Sequence, residues 1–183
     1  MAAALLIDNA KWPSERCLTL LRSTELFGKF QYPALRALLT ASRLVALKQS
    51  RALFTGKDAA LSAFVLAEGV LRHNFGADSE RPHFLTPPSV IGETALVVGC
   101  LRLATVSAET DSVLIEIPRA TFLRVIAEFP EGAAQTRRLI SGHLRKLVDE
   151  LDAVRLRLDG TAADDQSVED AIETLWRPSV VET

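Results

Sequence analysis

Cysteine is scarce in this chain: Cys17 and Cys100 are the only two in 183 residues. They lack the close spacing of a zinc or dithiol site, so both read as reduced, partly buried thiols of a cytoplasmic protein. Histidine is nearly as rare. His73, His83 and His143 are scattered along the chain with no His-x-His pair, which withholds the ligand set that a metal-dependent jelly-roll enzyme needs. No nucleophile–base arrangement is visible either, so the chain is not expected to be an enzyme, and no metal or cofactor is assigned. No apolar run approaches the roughly 18 residues of a transmembrane helix. The start, Met1-Ala2-Ala3-Ala4-Leu5-Leu6-Ile7, has no basic leading region and is interrupted by Asp8; it reads as an ordinary terminus, not a signal peptide. A net charge of −2 exerts no broad pull on nucleic acid or on an anionic membrane.

What is present is the composition of a globular protein, 48% hydrophobic and 24% charged, at a length that suits one buried domain with an appendage. Residues 1–43 read as helical. Ser14 is placed as an N-cap, Leu18, Leu21, Leu26 and Phe27 form one apolar face, and Leu35, Leu38 and Leu39 form the face of a second helix after Pro33. From residue 44 the pattern changes to short segments rich in Val, Leu and Phe, separated by Gly, Pro, Asp and Ser clusters. Strands are predicted at 44–47, 52–54, 63–66, 70–73, 83–85, 101–108 and 113–117, with Pro87-Pro88-Ser89 as one of the turns. About eight short strands with tight connections predict an antiparallel β-roll or jelly roll. The fold class is therefore α+β, mainly β, with helices on either side. At Pro118 the chain returns to helix, proline being suited to the first helical position, and Phe122, Val125, Ile126 and Phe129 form its buried face up to Pro130.

One stretch within the β region carries chemistry. Gly92 precedes a short helical turn, and Arg102 lies on a predicted strand whose alternation puts Arg102, Ala104 and Val106 on one face and Leu101, Leu103 and Thr105 on the other. Free backbone N–H groups, a close-approach glycine and a fixed positive charge are the parts of a small-anion site. Glu93 does not fit a site for phosphate alone. It fits a ligand that also offers a hydroxyl, as a nucleotide does.

These residues resemble the phosphate-binding cassette of the cyclic nucleotide-binding domains, a family that includes the bacterial catabolite activator protein and the regulatory subunits of cyclic-AMP-dependent protein kinase. Gly92-Glu93-Thr94-Ala95-Leu96 and Arg102-Leu103-Ala104-Thr105-Val106 stand at the family's separation. Ala52-Leu53-Phe54 before Gly56, and Phe64-Val65-Leu66 before Gly69, look like its early β-roll; Ile115-Glu116-Ile117-Pro118-Arg119 with Phe122 looks like its closing strand and helix. The resemblance implies that Glu93 accepts the ribose 2′-hydroxyl and Arg102 neutralises the cyclic phosphate. Backbone N–H groups near Thr94, Ala95, Leu103 and Ala104 complete the cradle. The chain departs from the family at Pro87-Pro88-Ser89, where a glycine is usual, in a loop after Gly56 that is one residue longer, and at Leu103. Relatives carry Ala, Ser or Thr at that last position, and threonine goes with cyclic GMP, so its absence implies cyclic AMP over cyclic GMP. Where hydroxyl residues of some bacterial relatives touch adenine, this chain has Leu147 and Val148.

Four parts are thus expected: a helical segment over 1–43, a β-roll over 44–130 with its cassette at 91–106, a long helix over 131–159, and a linker and tail over 160–183. In the long helix Ile140, Leu144, Leu147, Leu151, Val154 and Leu158 alternate spacings of four and three, the signature of a heptad seam. Pairing in parallel with a second copy sets Glu150 opposite Arg155. The stretch after Gly160 is short and acidic, with Asp164, Asp165, Glu169, Asp170 and Glu173, so no helix-turn-helix module and no DNA binding by the chain itself are expected. The function expected is a cytoplasmic cyclic nucleotide sensor, homodimeric, signalling by helix rearrangement to an effector protein. The alternative is a β-roll scaffold or dimerisation module that has lost nucleotide binding.

Overall fold

The computed structural model describes residues 5–6, 12–74, 83–130, 138, 141 and 142. The chain divides into two compact units, 1–136 and 137–183. Of the second unit only Arg138, Ser141 and Gly142 are described, all three helical; the predicted heptad seam and the tail lie outside the described residues.

The first unit runs β1 (Leu5–Leu6), α1 (Ser14–Ser23), α2 (Tyr32–Thr40), β2 (Arg43–Leu47), β3 (Ala52–Phe54), β4 (Ser62–Glu68), β5 (Leu71–Asn74), β6 (His83–Leu85), β7 (Ser89–Ile91), a 3₁₀ turn (Glu93–Leu96), β8 (Thr105–Ala108), β9 (Ser112–Pro118) and α3 (Arg119–Glu128). The strands form two antiparallel sheets, ordered β1-β2-β9-β4-β7 and β3-β8-β5-β6. This is the mainly β, α+β roll that the sequence pattern predicts.

The core follows from strand alternation. Val45, Leu47, Phe64, Leu66, Leu71, Ile91, Val106, Ala108 and Leu114 form one buried cluster fed by both sheets, with Leu53, Phe54 and Leu85 packed on its margin. β4 is buried at six successive positions, Ser62 to Ala67. A strand with both faces covered reads as such an unbroken run. Ala63, Val65 and Ala67 therefore point away from the inter-sheet core. Around the helices a second apolar layer forms, in which Phe30 stands between Phe27 at 5.7 Å and Phe122 at 6.4 Å, centroid to centroid. Burying a large apolar side chain stabilises by roughly 1.5–3 kcal/mol, so this layer is what holds three short helices that would not persist alone.

Several expectations need correction. The segment 1–43 is not all helix, because Leu5–Leu6 pairs with Val45 and Ala46 as a strand. Pro13 occupies the N-cap position of α1 and Ser14 is its first helical residue. Leu26 and Phe27 are buried as expected but lie beyond the helix. The Thr24 hydroxyl donates to Leu21 O at 2.7 Å and accepts from Phe27 N at 3.3 Å, which ends α1 and turns the chain. Pro118 closes β9 and caps α3 from outside its first turn. Ser89 is not a turn residue; it opens β7, paired with Leu66.

The predicted strand 101–108 is shorter than expected, Thr105–Ala108. Residues just before it pair elsewhere: Arg102 N donates to Asp58 O and Lys57 N to Arg102 O, both at 2.8 Å, while Ala60 N donates to Cys100 O at 3.0 Å. The chain changes partner between residues 102 and 105. Its facing pattern survives the change, with Arg102, Ala104 and Val106 buried and Leu101 and Leu103 exposed.

Gly69 carries the turn from β4 to β5 at φ +92°, and a Cβ placed there would lie 2.6 Å from Asp111 O. Backbone forced into that region and into a carbonyl costs about 1–3 kcal/mol. Gly69→Ala is expected to lose about that much unfolding free energy in urea titration; an unchanged midpoint would show that the turn can relax.

Candidate functional site

The site forms where the 3₁₀ turn meets the chain leading into β8. Gly92 sits at the turn's N-cap position with φ 70° and ψ 36°, a left-handed conformation that suits glycine. A second demand falls on the same residue, because a Cβ there would collide with Nη1 of Arg102. Gly92 thus sets the direction of the turn and lets the guanidinium reach its backbone. Glu93 and Thr94 follow in the first turn, both half-buried. By geometry the first N–H groups of such a turn have no partner within it. Ala95 is buried, and its N–H donates to Gly92 O at 3.1 Å.

Arg102 is 8% exposed, an unusual burial for arginine. Its Nη2 donates to Ser62 O at 2.5 Å, and its Cζ lies 4.1 Å from the centroid of Phe54 and 5.8 Å from that of Phe64. Nε is buried with no hydrogen-bond partner. Burial pulls the guanidinium below its ordinary pKa, while Cys100, Asp58 and Glu116 act in the opposite sense; arginine remains a cation throughout. A charged hydrogen bond contributes roughly 1.5–3 kcal/mol, and a desolvated cation–π contact about 2 kcal/mol. Those contacts offset desolvation, but they leave a buried donor of a buried charge unmet, and such a group is usually kept for a reason other than stability.

The structure brings Gly92, Glu93, Thr94, Ala95 and Arg102 to one end of the roll, with Ala104 buried beside them. Leu103 is set apart from these as a residue 74% exposed. The dimer-seam residues lie outside the described part.

Other residues at the site were not singled out from sequence. Phe54 and Phe64 were read as strand residues only, and Ser62 enters through its carbonyl, which no motif reports. Arg119 was read as part of the closing helix. Its backbone N donates to Leu61 O at 2.9 Å and its Nη2 to Val97 O at 3.0 Å, so the first residue of α3 holds both the residue before β4 and the end of the 3₁₀ turn. The histidines are less scattered than they read. His73 and His83 are cross-strand partners, and burial, then His83, pushes the His73 pKa down while Glu93 pushes it up. Among the described residues no group of three His, Cys, Asp or Glu could hold a metal ion, and no helix is long and apolar enough to cross a membrane.

The arrangement is a two-sheet antiparallel roll with a buried arginine set against a glycine-led turn. Residues 44–129 match the family model for the cyclic nucleotide-binding domain. No curated protein matches the chain. Among solved structures, the N-terminal domain of a transcriptional regulator from Streptomyces coelicolor A3(2) is similar at 27% identity and TM-score 0.59, over 71% of this chain and 95% of that one. A structure solved for a cyclic-GMP-dependent signalling pathway that regulates bacterial phytopathogenesis is similar at 26% identity and TM-score 0.55, over 65% of this chain and 94% of that one. The Thermus thermophilus catabolite activator protein shares the fold at 23% identity and TM-score 0.62, over 73% of this chain and 64% of that one.

Replacing a buried charge by an apolar side chain of similar length is often neutral or stabilising. Arg102→Met is therefore expected to keep the unfolding free energy within about 1 kcal/mol of wild type, or to raise it. A loss of about 3 kcal/mol or more would make Arg102 a structural residue.

Proposed function

We propose that this protein is a cyclic nucleotide sensor that binds cyclic AMP in preference to cyclic GMP, through Gly92, Glu93, Thr94, Ala95, Arg102, Leu103 and Ala104. The observation that carries the reading is the buried guanidinium of Arg102, with an unmet Nε donor, beside the turn led by Gly92. A cyclic phosphate supplies the acceptor that this donor lacks. Glu93, on the same turn, accepts the ribose 2′-hydroxyl, and backbone N–H groups near Thr94, Ala95, Leu103 and Ala104 add to the cradle.

Preference for cyclic AMP rests on Leu103, which stands where threonine in relatives goes with cyclic GMP; the similarity to a cyclic-GMP pathway structure weighs the other way. The protein is a regulator, not an enzyme, in keeping with the transcriptional regulator whose N-terminal domain it resembles. Ligand binding shifts the cassette and the helices after residue 118. The change passes through a dimer seam at Ile140, Leu144, Leu147, Leu151, Val154 and Leu158 to an effector protein, in the cytoplasm, where the free thiols of Cys17 and Cys100 stay reduced. For this to be allostery, the ligand must favour one helix arrangement over the other.

A second reading has one observation in its favour: Arg102 is engaged inward by Ser62 O, as in a roll that has retired its arginine to the core. Calorimetric titration separates the two. Wild type is expected to bind cyclic AMP more tightly than cyclic GMP, and Arg102→Ala and Glu93→Ala each to weaken binding about tenfold or more, the loss of one charged hydrogen bond. No heat with either nucleotide supports the retired roll, and wild-type affinity in both variants refutes the assigned site.

The seam is tested apart from the ligand. Sedimentation is expected to show a dimer at tens of micromolar protein, and Leu147→Glu to shift it to monomer; a monomeric wild type removes the dimer from the proposal.

A further inference from the structure

We propose that Phe54 is the positioning residue of the anion-binding arginine: its ring is a shelf that fixes the plane of the Arg102 guanidinium and so the direction of the Nε–H that meets the ligand. This rests on the nucleotide reading above and adds a residue to it.

A guanidinium hydrogen-bonds through its edge and stacks through its face, so the two interactions do not compete. Here the edge is largely assigned. Nη2 is on Ser62 O, Nη1 lies against Gly92 where any Cβ would collide with it, and Nε is buried without a hydrogen-bond partner. The face is taken by Phe54 at 4.1 Å, with Phe64 farther off at 5.8 Å. One carbonyl and one glycine leave the group free to pivot about the Nη2 bond. The ring removes that freedom.

The backbone places the ring there. Phe54 is the last residue of β3, paired with Val106 across a register shift between Ala52 and Phe54. Directly after it, Gly56 N donates to the Thr105 hydroxyl at 3.1 Å, and Lys57 N and Asp58 O pair with the backbone of Arg102. Phe54 and Arg102 are therefore held on two segments stitched together on either side of the contact. Phe64, 6.1 Å from Phe54, backs the shelf from β4. A leucine at 54 would fill much of the same space without a π face.

The test uses the full chain and cyclic AMP as the probe. Phe54→Leu is expected to weaken binding about tenfold, the loss of roughly 1.4 kcal/mol, and Phe54→Tyr, which keeps the π face, to restore wild-type affinity. In an Arg102→Lys background, which has no flat fork to orient, the effect of Phe54→Leu is expected to shrink to less than about threefold, within 0.7 kcal/mol. In ligand-free protein the Nε–H signal of Arg102, identified by its loss in Arg102→Lys, is expected to be shifted upfield by the ring in wild type and Phe54→Tyr but not in Phe54→Leu. Equal losses from Phe54→Leu in the two backgrounds, or wild-type affinity in Phe54→Leu, would overturn the shelf while leaving the site intact. No heat with wild type would overturn the nucleotide reading and the shelf's role together. A Phe54→Leu protein that melts early is judged by the Nε–H signal of wild type and Phe54→Tyr: an unshifted signal in both overturns the shelf.

Discussion

The structure depends at its functional end on how one desolvated charge is held. Arg102 has left water almost completely, and what it receives in exchange is one backbone carbonyl, one aromatic face and a passage beside a glycine. Neither partner neutralises its charge. A desolvated charge, even one that Asp58 and Glu116 favour, interacts more strongly with an arriving anion than the same charge at a surface. The cost of keeping it there falls on the rest of the roll.

The rest of the roll is built to bear that cost. Two sheets close on an aliphatic core, and β4, buried along nearly its whole length, runs through the middle as the carrier of Ser62 and Phe64. Its neighbour β7 leads directly into the turn that Gly92 begins. The carbonyl and the turn are thus carried by neighbouring strands of one sheet, and the arginine by the chain leading into β8 of the other. Arg119 joins α3 to the residue before β4 and to the end of the turn, through Leu61 and Val97. The Nη2 bond to Val97 O is a direct contact between the end of the turn and the first residue of that helix.

Much of this was legible in residue order because it is local. Gly92-Glu93 and Arg102 stand close together in the chain, and strand alternation alone put Arg102, Ala104 and Val106 on one face, which the fold buries. The apolar faces of α2 and α3 were equally plain from spacing, and the core strands from their Val, Leu and Phe content. Errors arose where a partner distant in sequence decides the outcome. Strand 101–108 is cut short because residues 57–60 capture the backbone around Arg102. Ser89 becomes a strand because Leu66 is there to pair with it. His73 and His83 look unrelated until β5 and β6 lie side by side.

Residue types and their intervals, then, determined the mainly β roll and the apolar faces of the helices beside it, and singled out Glu93 and Arg102 as candidates. These are matters of periodicity and local chemistry, which a chain carries with it. Tertiary structure decided the state of that arginine: that it lies on Phe54, donates to Ser62 and keeps one donor unmet. A backbone carbonyl looks the same at every residue, and a phenylalanine in a strand has the same pattern whether it faces leucine or a cation. Only the folded roll, in which β3 pairs with β8 and β4 belongs to the other sheet, brings them to the guanidinium, and that arrangement is a property of the folded chain.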